Sequence, residues 1–187
     1  EIAARRLATE EIGFTGGEPF MNPDIVDMLT DCLERGFRVL VLTNAMRPMM
    51  RHKDELLAIR ARYGERLILR VSLDHYSAAL HEWERGPRSF APTIAGLEWL
   101  SENDFAVHVA GRTRWNEPEE RLRRGYARLF AERGIAVDAD DRVFLTLFPE
   151  MDAHADVPEI TERCWGILGV SPNAMMCASS RMVVKRK

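Results

Sequence analysis

Cysteine is scarce in this sequence, and so are the other features that would assign a chain of this size to a simple class. The three cysteines, Cys32, Cys164 and Cys177, have no regular spacing. They form no disulfide framework, and a reducing cytoplasm is the expected location. No apolar run approaches the ~18 residues of a membrane span, and no signal peptide is present, so no membrane partner is expected. No basic stripe runs along the chain, which argues against a nucleic-acid partner. Arg181, Lys185, Arg186 and Lys187 cluster at the end, where they read as a solvated strand edge, and the formal net charge is −3. Glu1 is not a methionine and falls within a helix-like run, while Lys187 follows a strand-like one. Both ends look cut, and the expectation is an internal piece of a longer protein.

What is present is a globular chain of 187 residues, 46% of them hydrophobic, enough for one sizeable core. Strand-like runs recur near residues 12, 39, 67, 105 and 142, with helical runs between them. Alternation at this spacing predicts parallel strands joined by right-handed crossovers, hence an α/β fold. Helices are expected from Asn22-Pro23 to Gly36, over 52–63, over 90–103, from an Asn116/Glu119 capping box to Gly134, and from an Asp156/Glu159 capping box through Leu168. Residues 75–88, with His75, His81, Glu82 and Arg88, read as a long polar loop. Five strands are too few for a closed eight-fold barrel of ~250 residues, so an open partial barrel or a curved doubly wound sheet fits. The division is residues 1–150 as barrel and 151–187 as the start of a C-terminal extension.

Two strands alternate strictly. Leu67, Leu69, Val71 and Leu73 face one way, toward helices, and Arg70, Ser72 and Asp74 the other. Phe105, Val107 and Val109 form the bulky face of the fourth strand, leaving His108 and Arg112 opposite. Functional side chains in such folds gather at the C-terminal strand ends. Those ends read Thr15-Gly16-Gly17-Glu18-Pro19, then Thr43-Asn44, then Ser72 and Asp74, then Arg112, then Thr146. The glycine pair permits a sharp turn and close approach to a ligand. Glu18 suits an ammonium, the planar fork of Arg112 suits a carboxylate, and Asp74 and Asn44 suit hydroxyls.

Thr15-Gly16-Gly17-Glu18-Pro19 after one strand, Thr43-Asn44 ending the next and Ser72-Leu73-Asp74 after the third resemble the core of the radical S-adenosylmethionine (SAM) enzymes, over about residues 10–148. The resemblance implies a partial (β/α)6 TIM-barrel-like core. It also implies a 4Fe–4S cluster and a reductively generated 5′-deoxyadenosyl radical that abstracts hydrogen from a small-molecule or peptide substrate. The electron would come from a donor such as flavodoxin or ferredoxin. By that similarity Gly16, Gly17 and Glu18 hold the cofactor's ammonium and Ser72 and Arg112 meet its carboxylate. Asn44 and Asp74 are candidates for ribose or substrate contacts. Members of the family ligate the cluster through Cys-x3-Cys-x2-Cys, which this sequence lacks, so the cluster ligands are expected outside this chain and the piece alone is expected to be inactive.

Cys177 lies in a Met-rich loop where several members carry an auxiliary iron–sulfur cluster. It is a candidate ligand there and equally a plain thiol. Two other readings stand beside the enzyme: a degenerate barrel that binds SAM or a partner without radical chemistry, and an aldolase-type barrel using Asp74 or His108 as base. The second lacks a lysine at a strand end. Cys32 and Cys164 read as packing, His52 as solvated, and the substrate is not legible.

Overall fold

The computed structural model describes residues 8–150 and, beyond them, 159, 161–169, 171, 180 and 182–183. The chain divides into two compact units, residues 1–150 and 151–187. The first holds a five-stranded parallel sheet: β1 (Glu11–Phe14), β2 (Arg38–Thr43), β3 (Leu67–Ser72), β4 (Ala106–Arg112) and β5 (Leu145–Phe148). Strands pair in sequence order, with Ile12 opposite Val39, Val41 opposite Leu69, Val71 opposite Val109 and Ala110 opposite Thr146. A doubly wound sheet reverses strand order at a switch point. This sheet advances in one direction only, which is the arc of a (β/α) barrel.

Among the described residues the α-helices of the first unit are α1 (Ile25–Glu34), the short α2 (Arg47–Met50), α3 (Lys53–Tyr63), α4 (Ala78–Arg85), α5 (Phe90–Glu102) and α6 (Glu119–Arg133). The apolar stripes of α1, α3, α5 and α6, with Met49 of α2, meet one face of the sheet. Val39, Val41, Leu67, Leu69, Val71 and Val109 pack in a single core with Leu29, Leu33, Leu56, Leu97, Leu100 and Tyr126. At ~25 cal/mol per Å² of apolar surface, this layer is the main source of stability. The opposite residues of the same strands, Ile68, Arg70 and Ser72, are only half-buried, as the period-2 alternation requires.

Local differences from the sequence expectations have identifiable causes. The helix predicted from Asn22-Pro23 begins at Ile25 instead. Pro19–Met21 forms a 3-10 turn first, and Asn22 Oδ1 accepts a hydrogen bond from the Asp24 N–H at 3.0 Å. The Asn116/Glu119 capping box does not form, because α6 starts at Glu119 behind Pro118 and Asn116 sits at φ +53°. The last strand is shorter than expected. Val143 N–H turns onto Asp141 Oδ1 at 2.7 Å, so pairing begins only at Leu145. The polar loop predicted over 75–88 contains helix α4, ended by Gly86 at φ +93°.

In the second unit the described residues include helix α7 (Arg163–Leu168), on which Cys164 is half-buried. Asp156 of the second capping box, and Cys177, lie outside the described residues.

Candidate functional site

The loop after β1 is built for close approach. Gly16 and Gly17 sit at φ +101° and +51°, and no atom lies within 4 Å of where a Cβ would be. A side chain would therefore strain the backbone without meeting a neighbour. Glu18, which the sequence aimed at an ammonium, spends its carboxylate on protein donors. Its Oε1 accepts from the Thr43 hydroxyl at 2.8 Å and from the Phe20 N–H at 3.3 Å. Its Oε2 accepts from the Asn44 N–H at 2.8 Å. The side chain thus clasps the end of β1 to the end of β2.

Asn44 is held on every side of its backbone. Its N–H is bound by Glu18, its carbonyl accepts from Thr93 Oγ1 at 3.0 Å, and its Oδ1 accepts from the Met46 N–H at 2.9 Å. Ala45, next in the chain, is fully buried at φ +56°. Helix α5 approaches so closely there that a Cβ on Gly96 would lie 2.0 Å from the Ala45 carbonyl oxygen. Beside Asn44 opens a cavity of about 300 Å³, lined also by Met46, Ser72, His81, Arg85 and Thr93.

Asp74 and Arg112 come together, but on each other. The Asp74 side chain is only 3% exposed and is gripped by Arg85, whose Nη2 donates to Oδ1 at 3.1 Å, and by Arg112 Nε at 3.3 Å. Arg112 Nη1 also lies 3.7 Å from Glu84 and 3.5 Å from Glu150. A fork that faces three carboxylates is an encumbered receptor for a fourth. Arg85 and Glu84 were missed in the sequence because their segment reads as loop. The Ser77 start and Gly86 stop were the signal for a helix that would turn both toward the strand ends.

The histidines beside the site are buried and structural in their contacts. His75 Nδ1 accepts from the Ser77 N–H at 2.9 Å, so its Nε2–H donates to Glu117 at 3.0 Å. Burial lowers the His75 pKa, with Glu117 opposing. His81 Nδ1 accepts from the Asp74 N–H at 3.2 Å, and burial likewise pushes its pKa down. His108, on the inner face of β4, accepts at Nδ1 from Arg70 Nη2 at 3.4 Å; its pKa is lowered by burial and then by the Arg70 charge. Among the described residues no group of three His, Cys, Asp or Glu side chains is placed to hold a metal ion. Cys32 packs half-buried against the core, and burial raises its thiol pKa.

A one-directional α/β arc with a glycine turn and polar residues at its C-terminal strand ends defines a barrel-type, cofactor-binding enzyme core. Residues 1–123 match the Radical SAM superfamily, and the chain belongs to that family. The family uses SAM together with a 4Fe–4S cluster. Among curated proteins the chain is 34% identical over 97 residues to the antilisterial bacteriocin subtilosin biosynthesis protein AlbA of Bacillus subtilis, covering 51% of this chain and 21% of AlbA. It is 34% identical over 98 residues to the AdoMet-dependent heme synthase of Methanosarcina barkeri, covering 51% and 26%. The chain thus spans about a fifth to a quarter of the length of these relatives. The crystal structure of Streptococcus suis SuiB bound to SAM superposes with a TM-score of 0.56 at 16% identity, over 82% of this chain and 33% of SuiB. That likeness is one of fold.

The residues present fit one of the family's two groups. An exposed glycine turn beside a carboxylate and a polar cavity suits an amino-acid zwitterion on a nucleoside. The cluster is different, since three thiolates at Cys-x3-Cys-x2-Cys spacing are absent from these 187 residues. No helix among the described residues is long and apolar enough to cross a membrane.

Proposed function

We propose that this chain is the SAM-binding core of a radical SAM enzyme whose cluster ligands lie outside it. The observation that supports the reading is the clasp: Glu18, next to the glycine turn, binds Thr43 and Asn44, and Asn44 lines a cavity together with Ser72. Preorganisation of this kind lowers the ordering cost of binding.

In this reading the carbonyls of Gly16 and Gly17, with the Glu18 charge behind them, receive the methionyl ammonium. Ser72 meets the ligand at the end of β3. Asp74 acts as a positioning residue that holds Arg85 and Arg112 rather than a hydroxyl. With its cluster, the cofactor supplies a 5′-deoxyadenosyl radical for hydrogen abstraction. The whole protein then acts on a small-molecule or peptide substrate, with an electron from a donor of the flavodoxin or ferredoxin kind. The relatives' names span bacteriocin and heme biosynthesis, so they support the reaction class and not one substrate. Cys177 remains a candidate ligand of an auxiliary cluster.

The test is calorimetry with SAM on the full-length protein. Gly17→Val places a branched side chain at φ +51° in the turn and should weaken binding at least tenfold; unchanged affinity refutes the assignment of the turn. The absent three-cysteine motif favours one second reading, a binding module without radical chemistry. Anaerobic reconstitution of the full-length protein decides between them: iron and sulfide incorporated at a four-to-four ratio supports the enzyme, and none supports the module.

A further inference from the structure

The inner face of the sheet carries a positive charge that no carboxylate answers. Arg70 stands mid-strand on β3, between Leu42 of β2 and His108 of β4 in the pairing register, and is half-buried. Its sole hydrogen bond among the described residues runs from Nη2 to His108 Nδ1 at 3.4 Å, and its Nε is buried without a partner. Glu11 is the one carboxylate whose charge it feels, and Glu11 lies 3.9 Å from Arg38. A guanidinium does not shed its proton to escape burial, so a counter-ion is what would neutralise it. Buried donors are nearly always paired, and the bare Nε–H marks where an acceptor belongs.

The neighbours define that acceptor. His108 takes the Arg70 bond at Nδ1, so in the neutral ring the proton resides on Nε2, which has no partner among the described residues. Phe144 stands edge-on to this ring at 5.2 Å between centroids and is itself 41% exposed, an apolar wall beside the polar pair. One cation and one neutral N–H match a single negative charge, a carboxylate rather than a phosphate dianion. Arg70 lies two residues, ~7 Å, deeper along β3 than Ser72. Neither Arg70 nor His108 lines the cavity of Ser72 and Arg85.

We propose that Arg70 and His108 form a second, separate site on the inner face of the sheet, which takes a small carboxylic acid with an apolar body. Arg70 supplies the charge and the Nε–H, His108 the Nε2–H, and Phe144 the apolar contact. The proposal goes beyond the SAM-binding reading and stands without it.

The probes are sodium acetate, sodium phenylacetate and sodium phosphate, titrated at constant ionic strength against sodium chloride. ¹H–¹⁵N NMR of the full-length protein follows the Arg70 Nε–H and the His108 Nε2–H, a readout in the wild type that does not depend on a variant folding. Both signals should shift saturably with acetate, at lower concentration with phenylacetate, and equally when S-adenosylhomocysteine is present. Arg70→Met should weaken phenylacetate binding about tenfold or more, read from the His108 signal. Shifts no larger than those with chloride overturn the site, as they would if another part of the protein already fills it. Phosphate binding more tightly than acetate overturns the carboxylate class. Shifts produced by S-adenosylhomocysteine alone, and abolishing those of acetate, assign the pair to the cofactor and overturn a separate site. Calorimetry with S-adenosylhomocysteine tests the SAM-binding reading independently, so either can fail while the other holds.

Discussion

Replacing Glu18 by alanine should destabilise the protein even with no ligand present, because the carboxylate holds two strand ends together. It accepts two bonds at 2.8 Å, from the Thr43 hydroxyl and the Asn44 N–H, and a longer one from Phe20. Bonds to an ionised acceptor contribute ~1.5–3 kcal/mol each, so the two short ones bound the loss at ~3–6 kcal/mol. Two features pull toward the lower end. Glu18 is only half-buried, so water reaches the vacated space, and Thr43 Oγ1 keeps its bond from the Ala45 N–H at 3.1 Å. The expected cost is ~3 kcal/mol, or ~6–12 °C in Tm at the ~2–4 °C per kcal/mol usual for a chain of this size. Glu18→Gln should cost much less, ~1 kcal/mol. One amide oxygen can still face Asn44, and the amide N–H₂ can donate to Thr43, though it meets the Phe20 N–H. Thermal unfolding of the wild type and both variants without SAM provides the measurement. An alanine variant melting within ~1 °C of the wild type would refute the clasp and return Glu18 to a ligand-only role.

Gly96→Ala should cost ~3 kcal/mol, at the top of the overpacking range, because the methyl would lie 2.0 Å from the Ala45 carbonyl oxygen; a denaturation midpoint equal to wild type contradicts the close approach. Asp74→Asn removes the shared anion of Arg85 and Arg112. A broken buried pair costs ~3–5 kcal/mol, but both guanidiniums are more than a third exposed, so ~2 kcal/mol is expected in chemical unfolding. Tyr126→Phe deletes the 2.7 Å bond from a fully buried hydroxyl to the Leu73 carbonyl and should cost ~1–2 kcal/mol by the same measurement. Burial depresses the pKa of His75, His81 and His108 below 6.5. Between those folded values and 6.5 the unfolded chain binds more protons, so this contribution to stability is complete above pH 6.5 and is lost as pH falls. NMR titration should put all three imidazole midpoints below 6.5, and any at or above it contradicts the burial argument.

The sequence by itself determined the layering of this protein. Leu67, Leu69 and Val71 alternate with Ile68, Arg70 and Ser72, and a period of two leaves a buried strand only one way to face its helices. The turn at Gly16-Gly17 was equally legible, since few residues tolerate φ +101°. Helix α4 was less so. Its polar residues, His81 and Glu82 among them, resemble a loop, and only the flanking Ser77 and Gly86 marked its ends. What the tertiary structure alone decided is where the charges go. Glu18 and Arg112 sit at the strand ends the pattern assigned them, yet Glu18 turns to Thr43 and Asn44, and Arg112 to Asp74, Glu84 and Glu150. Periodicity fixes the side of a strand a residue occupies, because that depends on the backbone. The atom a charged group binds depends on which distant segments are brought within 3 Å of it, and no local pattern encodes that. His81 shows the same division: as a residue in a row it is a surface histidine, and in the fold it is 1% exposed, its Nδ1 accepting from the Asp74 N–H.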